Sequence, residues 1–243
     1  MEKRLLAGAC LFAAILTACG GGGGDAPADA KTSTEPTSTV APTEFATRAT
    51  RQGDERVYEI VERYSDNATL TYTRRMVQTT LNADRSGERQ TFDDNNTLLQ
   101  SLRYDAQGIR SVTYYPSGFT CSPNVVLNSF SDTLRIGQAI ENKYTDSCSN
   151  GYAFNTEEAA TVAAAEQIDV RGITYKAVKE TATVSIERTA PGENFKYAVS
   201  ESIWIDPVLG LTVKETVNFS YPVPPAGTYL VASTRSLVNY VNK

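Results

Sequence analysis

The chain has no histidine, one tryptophan and two methionines among its 243 residues. The missing imidazole removes the usual base of a Ser-His-Asp triad and of a Cys-His pair. It also removes the commonest partner of cysteine in zinc sites, and the four cysteines stand far apart. The longest apolar stretch runs from Leu5 to Leu16, well short of the ~20 residues a helix needs to cross a bilayer core. Positive charge is short as well: 23 Lys and Arg stand against 28 Asp and Glu, a formal net charge of -5. Nucleic-acid binding, which rests on clustered basic side chains against phosphates, is therefore not expected.

What is present favours β structure. The chain holds 29 threonines and 13 tyrosines, and branched or aromatic side chains suit a pleated, half-buried surface. Its length allows one large or two small domains.

Met1-Glu2-Lys3-Arg4 is a short basic start, and the apolar run after it has the length of a signal-peptide core. That run ends in Leu16-Thr17-Ala18-Cys19, which resembles the bacterial lipobox. The resemblance implies that residues 1–18 are removed and that the Cys19 thiol carries a diacylglyceryl group. It also implies a further acyl chain, such as palmitate, on the new amino terminus. Two or more chains hold a protein stably on a membrane where one does not. Cys10 leaves with the signal. Gly20, rather than Asp, follows the lipidated cysteine, which by resemblance implies the outer membrane of a Gram-negative cell. Whether the protein then faces the periplasm or the outside stays open.

Residues 19–53 read as a lipidated cysteine and a tether. Gly20–Gly24 is a glycine run, and the stretch to Gly53 is rich in Ala, Thr, Ser and Pro with no apolar periodicity. Phe45 is the one residue here suited to pack on a domain. Residues 54–243 read as a single domain. Leu211, Val213, Glu215, Val217, Phe219 and Tyr221 alternate with polar residues, the period of a half-buried strand. A partner strand runs from Phe195 to Ile205 with Tyr197, Val199, Ile203 and Ile205 on one side, joined through the turn Asp206–Gly210. Tyr229–Val241 makes a last strand. Earlier strands are expected at Arg56–Tyr64, Thr69–Leu81, Arg89–Phe92, Leu98–Tyr104 and Ile109–Tyr115, a spacing that marks an antiparallel meander. Glu157–Gln167 is alanine-rich and would be helical on propensity alone.

The segment Ala160–Val170 with Gly172–Lys179, followed by Ser202-Ile203-Trp204-Ile205-Asp206-Pro207 and Gly210-Leu211-Thr212-Val213-Lys214, resembles a group of uncharacterised bacterial envelope lipoproteins. These carry a Pro-Ala-Gly-Thr-Phe/Tyr hairpin and a Trp strand. Here the turn is Arg171-Gly172-Ile173-Thr174, without the proline. The resemblance makes most of 157–167 strand. A more distant likeness, in the Trp-x-Asp-Pro to Gly-Leu hairpin, is to the half-barrel carriers of lipoprotein localisation. It implies an all-β fold, an antiparallel meander forming a strongly curved sheet or an open half-barrel behind a disordered tether. Tyr104–Tyr114 also reads like one unit of a YD repeat, but repeat shells need several copies and one is present.

Cys121 and Cys148 remain after processing. An exported chain meets an oxidising compartment, so a disulfide between them is expected. Closing a loop of this length contributes about 3 kcal/mol in the chain-entropy account.

Candidate chemistry is sparse. Ser65-Asp66-Asn67 matches one motif of serine β-lactamases, whose Ser-x-x-Lys and Lys-Thr-Gly partners do not occur. Asp93-Asp94-Asn95-Asn96 lacks the register and distal Glu of a calcium loop. Glu166, Asp169, Glu201 and Glu215 fall in expected strands; whether any two face each other as a hydrolytic pair is open. No catalytic residue, cofactor or metal is assigned. Val199, Ile203, Trp204, Val213, Val217 and Phe219 form a candidate face for apolar or acyl ligands, unless core packing closes it. Trp204 lies out of phase with Ile203 and Ile205, so it either lines a cleft or covers a sheet edge. The expected function is a membrane-anchored, non-enzymatic binding module. The alternative is a structural lipoprotein that docks another envelope protein.

Overall fold

A computed structural model describes residues 43–105, 108–127, 132–190 and 193–243. The signal sequence, Cys19 and the glycine run lie outside the described residues. The described chain contains fourteen strands and no helix. They are β1 (Glu44–Ala46), β2 (Glu55–Tyr64), β3 (Thr69–Leu81), β4 (Gly87–Phe92), β5 (Leu98–Asp105), β6 (Gly108–Tyr114) and β7 (Thr120–Pro123). Then come β8 (Thr133–Arg135), β9 (Ala139–Cys148), β10 (Ala153–Val170), β11 (Ile173–Ala190), β12 (Glu193–Asp206), β13 (Leu211–Ser220) and β14 (Leu230–Val241).

Twelve strands, all but β1 and β8, form one antiparallel barrel in chain order. The expected meander is there, strongly curved, but it is closed rather than an open half-barrel. β14 returns to β2 and pairs along its length, from Leu230 opposite Tyr64 to Val241 opposite Glu55. Closure gives the first and last long strands a partner on both sides, which removes the unpaired edges that an open sheet exposes. Bulges in β3, β10 and β14, where the register shifts by one residue, supply local bending.

Strand β10 contains the alanine-rich stretch. Tertiary pairing overrides its helix propensity, because β11 bonds it along its whole length and β9 as far as Thr161. Its turn to β11 has only Arg171 and Gly172 between paired Val170 and Ile173, with φ of 55° and 80°. Two successive positive φ values define the type I′ hairpin that matches strand twist, so the turn works without proline. Arg171 at its tip pairs with Glu59 on β2 at 2.6 Å, which brings the long hairpin across the end of the barrel.

Described residues ahead of Asp54, placed in the linker by composition, also pack on the barrel. β1 pairs with β8 as a separate two-stranded ribbon. Phe45 and Leu134 pack on the main core cluster, which includes Val162, Val178, Val184, Val199, Ile203 and Ile205. Leu134 is 3% exposed, and burying a leucine of this kind contributes ~2 kcal/mol. Arg48 then makes a two-pronged bond to the Asp54 carboxylate, at 2.7 and 3.1 Å. Asp54 also accepts the backbone N–H groups of Arg51 and Lys243. Burial opposes its charge, but these bonds prevail and hold its carboxyl below the usual range.

Cys121 and Cys148 form a disulfide across directly opposed positions of β7 and β9. The bridge closes the excursion that carries β8.

The Arg48 backbone crosses the β12–β13 turn. Its N–H bonds the Pro207 carbonyl at 2.8 Å. A Cβ on Gly210 would overlap the Arg48 carbonyl, whereas one on Gly172 meets nothing within 4 Å. Both glycines have positive φ, so alanine at either carries a conformational cost of roughly 1–2 kcal/mol. Gly210→Ala is expected to lower the urea midpoint clearly more than Gly172→Ala, because it alone displaces Arg48. Equal losses would refute this contact.

Candidate functional site in the barrel interior

Alternation in a closed barrel sends every second residue inward. On β12 the buried positions are Tyr197, Val199, Glu201, Ile203 and Ile205; on β13 they include Val213, Glu215 and Val217. β11 contributes Val178, Glu180, Ala182, Val184 and Ile186. β14 adds Ser233 and Leu237, and Arg235 lies between them. The interior is thus an apolar wall interrupted by ionisable groups.

Five of the six candidate ligand-face residues lie in this wall, in two groups. Val199, Ile203 and Val217 share one cluster, with Phe219 packed against it beside Phe45 and Leu134. Val213 belongs to a second cluster with Tyr58, Leu211 and Leu237. Exposure of Val199, Ile203, Val213 and Val217 is 0–6%. The chain's own β1–β8 ribbon packs on the first of these clusters through Phe45 and Leu134. Trp204 points away from Ile203 and Ile205 on β12 and is half-buried; it packs on the edge of the Val213 cluster, with Lys179 and Lys214 nitrogens 5.1 and 5.4 Å from its ring centroid. Its indole N–H donates to Glu166.

The four carboxylates divide in the same way. Glu166 and Asp169 are exposed, and Asp169 accepts the Gly172 N–H of the hairpin turn at 3.0 Å. Glu201 and Glu215 face inward on neighbouring strands. Glu215 sits opposite Ile203 on one side and Arg235 on the other, while Glu201 and Ser233 both sit opposite Val217. Glu201, Glu215, Ser233 and Arg235 therefore occupy two adjacent rungs of three strands. Glu180 lies on the same rung as Glu215, opposite Ile203. Glu215 sat in plain view in the alternating apolar column of β13. Arg235, Ser233 and Glu180 went unread because the polar partners lie on other strands.

Glu215 forms an ion pair with Arg235. The Arg235 guanidinium also stands 4.9 Å from the Tyr58 ring centroid. Burial alone would lower the pKa of Arg235, but Glu215, Tyr58 and Glu201 outweigh it and keep the cation. Glu201 has no such partner. Burial first, and then the Glu215 charge, push its carboxyl well above the usual range against the pull of Arg235. Burial also raises Glu180 to about 8, with Glu158 adding to the shift. Asp146, on the β9 wall, is raised to about 6 by burial. Three buried atoms of the cluster have no hydrogen-bond partner: Glu201 Oε1, Ser233 Oγ and Arg235 Nε. Unpaired buried groups are rare and call for water, an ion or a ligand.

Among the described residues no three carboxylates or thiols converge as a metal site. The short motifs are turns: Asp66 caps the Ala68 N–H, and Asp93 accepts from Asn95 and Thr97.

No protein-family description matches the sequence, and no curated protein matches it. Solved structures with a similar chain course include the hypothetical lipoprotein YmcC of Escherichia coli K12. It has 8% identity and a TM-score of 0.39 over 76% of this chain and 84% of that one. A candidate exported protein of Bacteroides fragilis with a YmcC-like fold has 10% identity and a TM-score of 0.46 over 83% of this chain and all of its own. A candidate lipoprotein of Parabacteroides distasonis has 10% identity and a TM-score of 0.42, with 83% of this chain and 100% of that one covered.

The interior acids set a pH dependence. A carboxyl raised in the fold holds its proton there and loses it on unfolding, so stability is full below the ordinary carboxylate pKa and falls as pH rises. Melting temperature is expected to fall from about pH 4.5 to about pH 8, the interval in which Glu180 keeps its proton in the barrel but is ionised in the unfolded chain, and to level off above it. Glu180→Gln should flatten that decline. An unchanged slope in the variant would rule Glu180 out as its source.

Proposed function

We propose that this chain is a lipid-anchored envelope protein, sorted to the outer membrane, whose barrel is a non-enzymatic binding module for an amphipathic ligand with an acyl or other apolar part. Support for the anchor is the Leu16-Thr17-Ala18-Cys19 sequence behind a short apolar run. Two acylated positions at and on Cys19 make membrane residence stable.

The observation that carries the binding reading is the trio of unpartnered interior atoms on Glu201, Ser233 and Arg235. Protonated Glu201 and the Ser233 hydroxyl can each donate and accept, while Arg235 Nε donates. A neutral, hydroxylated or amide head group would satisfy all three. Its apolar part would then run along Val199, Val217 and Phe219, in the same cluster on which Phe45 and Leu134 pack. Binding of a long chain requires the β1–β8 ribbon to shift. Glu215, the carboxylate on the rung next to Glu201, is held by Arg235 and so is not free to serve as base or nucleophile. This supports binding over catalysis.

Two measurements test the two halves. Cys19→Ala is expected to release the protein from membranes or leave it unprocessed; a membrane-bound variant of mature mass would defeat the anchor. Solvent extraction of the purified protein followed by mass spectrometry is expected to yield an amphiphile that Glu201→Ala with Ser233→Ala loses. Recovery of no amphiphile from either protein would defeat the binding role.

A further inference from the structure

One end of the barrel gathers the starts of β2, β9, β11 and β13 and the ends of β10, β12 and β14. The chain enters the fold at this end. Thr43 accepts a 2.9 Å hydrogen bond from the N–H of Ile136, and five residues on Arg48 bonds the β12–β13 turn. Exposed apolar side chains concentrate here too. Among the described residues, eleven large hydrophobic side chains are exposed, and five of them, Ile173, Val208, Val238, Tyr240 and Val241, stand on the β10–β11 tip, the β12–β13 turn and the last residues of β14. Val208, at the tip of the β12–β13 turn, is 80% exposed, and Ile173, at the β10–β11 tip, is 55% exposed. Tyr240 and Asp206 both act on the Tyr175 hydroxyl, so the end of β14, the β12–β13 turn and the β10–β11 hairpin are neighbours.

Single exposed apolar residues need no explanation, but a collection at one end does. The geometry points to a lipid surface as its partner: this end of the barrel docks on the bilayer that holds the anchor. The inference rests on the acylation of Cys19 proposed above. Only 23 residues lie between Cys19 and Thr43. Read from its Gly- and Thr-rich composition as a tether, a stretch of this length would span roughly 25–30 Å, which keeps the barrel beside the headgroups with this end foremost. The side chains match an interface. Trp204 lies two residues before the turn between Lys179 and Lys214, and Lys176 and Tyr240 are exposed close by. Aromatic rings and lysines with long apolar stems settle at the level of the headgroups, while Ile173 and Val208 reach the acyl boundary.

Val208 and Val223 provide a matched test, being 80% and 77% exposed at opposite ends. Val208→Cys and Val223→Cys, each in the full mature protein, carry one environment-sensitive dye, since Cys121 and Cys148 are bridged. The proteins are mixed with phosphatidylethanolamine–phosphatidylglycerol vesicles containing brominated lipid. The dye at position 208 is expected to lose fluorescence while that at 223 keeps it, and Ile173→Asp is expected to restore the signal at 208. Equal quenching at both positions, or none at 208, overturns the docking. A dye at 208 unaffected by lipid but shielded in whole cells would assign the face to an envelope protein and equally overturn it. Intact mass of the same samples reads the acyl groups separately, so failure of the anchor and failure of the docking are told apart.

Discussion

The pairing of β14 with β2 is the constraint on which the rest of this structure depends. Eleven neighbouring pairs could form in a sheet that curls but stays open. The twelfth turns a meander into a vessel with an inside. Once it forms, each inward side chain of β10–β13 faces the inward side chains of β2–β5 across a shared interior, and burial stops being optional for either. Val199 and Ile203 gain an apolar surrounding from closure, while Glu201 and Glu180 meet a desolvation cost for the same reason.

The interior meets that cost in two ways. Glu215 keeps its charge because Arg235 lies opposite on the next strand. Glu180 and Glu201 keep their protons instead. On the opposite wall, burial and the neighbouring Arg56 and Arg235 charges lower the pKa of Arg89. Polar residues thus accumulate inside one protein without an aqueous channel being required, and the atoms still unpaired mark where something other than protein belongs. Breaking the Glu215–Arg235 pair from one side would leave a buried charge alone, which is worse for the fold than replacing both partners.

Much of the fold was legible in the sequence, for a physical reason. β12 and β13 alternate over most of their length because one face meets a core and the other meets water, and β3 was read at Thr69–Leu81 as it stands. β9 escaped notice since its inward residues include Asn142, Tyr144 and Asp146, so polarity does not alternate along it. Closure was not legible: nothing in β2 or β14 alone says that each is the other's neighbour. The packing of Glu44–Ala46 was hidden by a composition typical of linkers, with only Phe45 as a hint. The ligand face was legible as a buried column, but its cover and its charged members come from strands distant in sequence. The Cys121–Cys148 bridge was readable from count and compartment, without any geometry.

The ribbon of β1 and β8 has a mechanical meaning. β8 lies between two cysteines bridged to each other, so it is fixed in a covalent ring that includes the barrel wall. β1 is held by three paired residues, and the next firm hold downstream is the Arg48 grip on Asp54. Any pull arriving through the amino-terminal segment therefore loads a short strand before it reaches β2. That strand can peel while the barrel stays shut, so the ribbon behaves as a fuse between the residues ahead of it and the barrel. The same peeling withdraws Phe45 from the apolar wall, and tension on the chain and access to the interior become one variable.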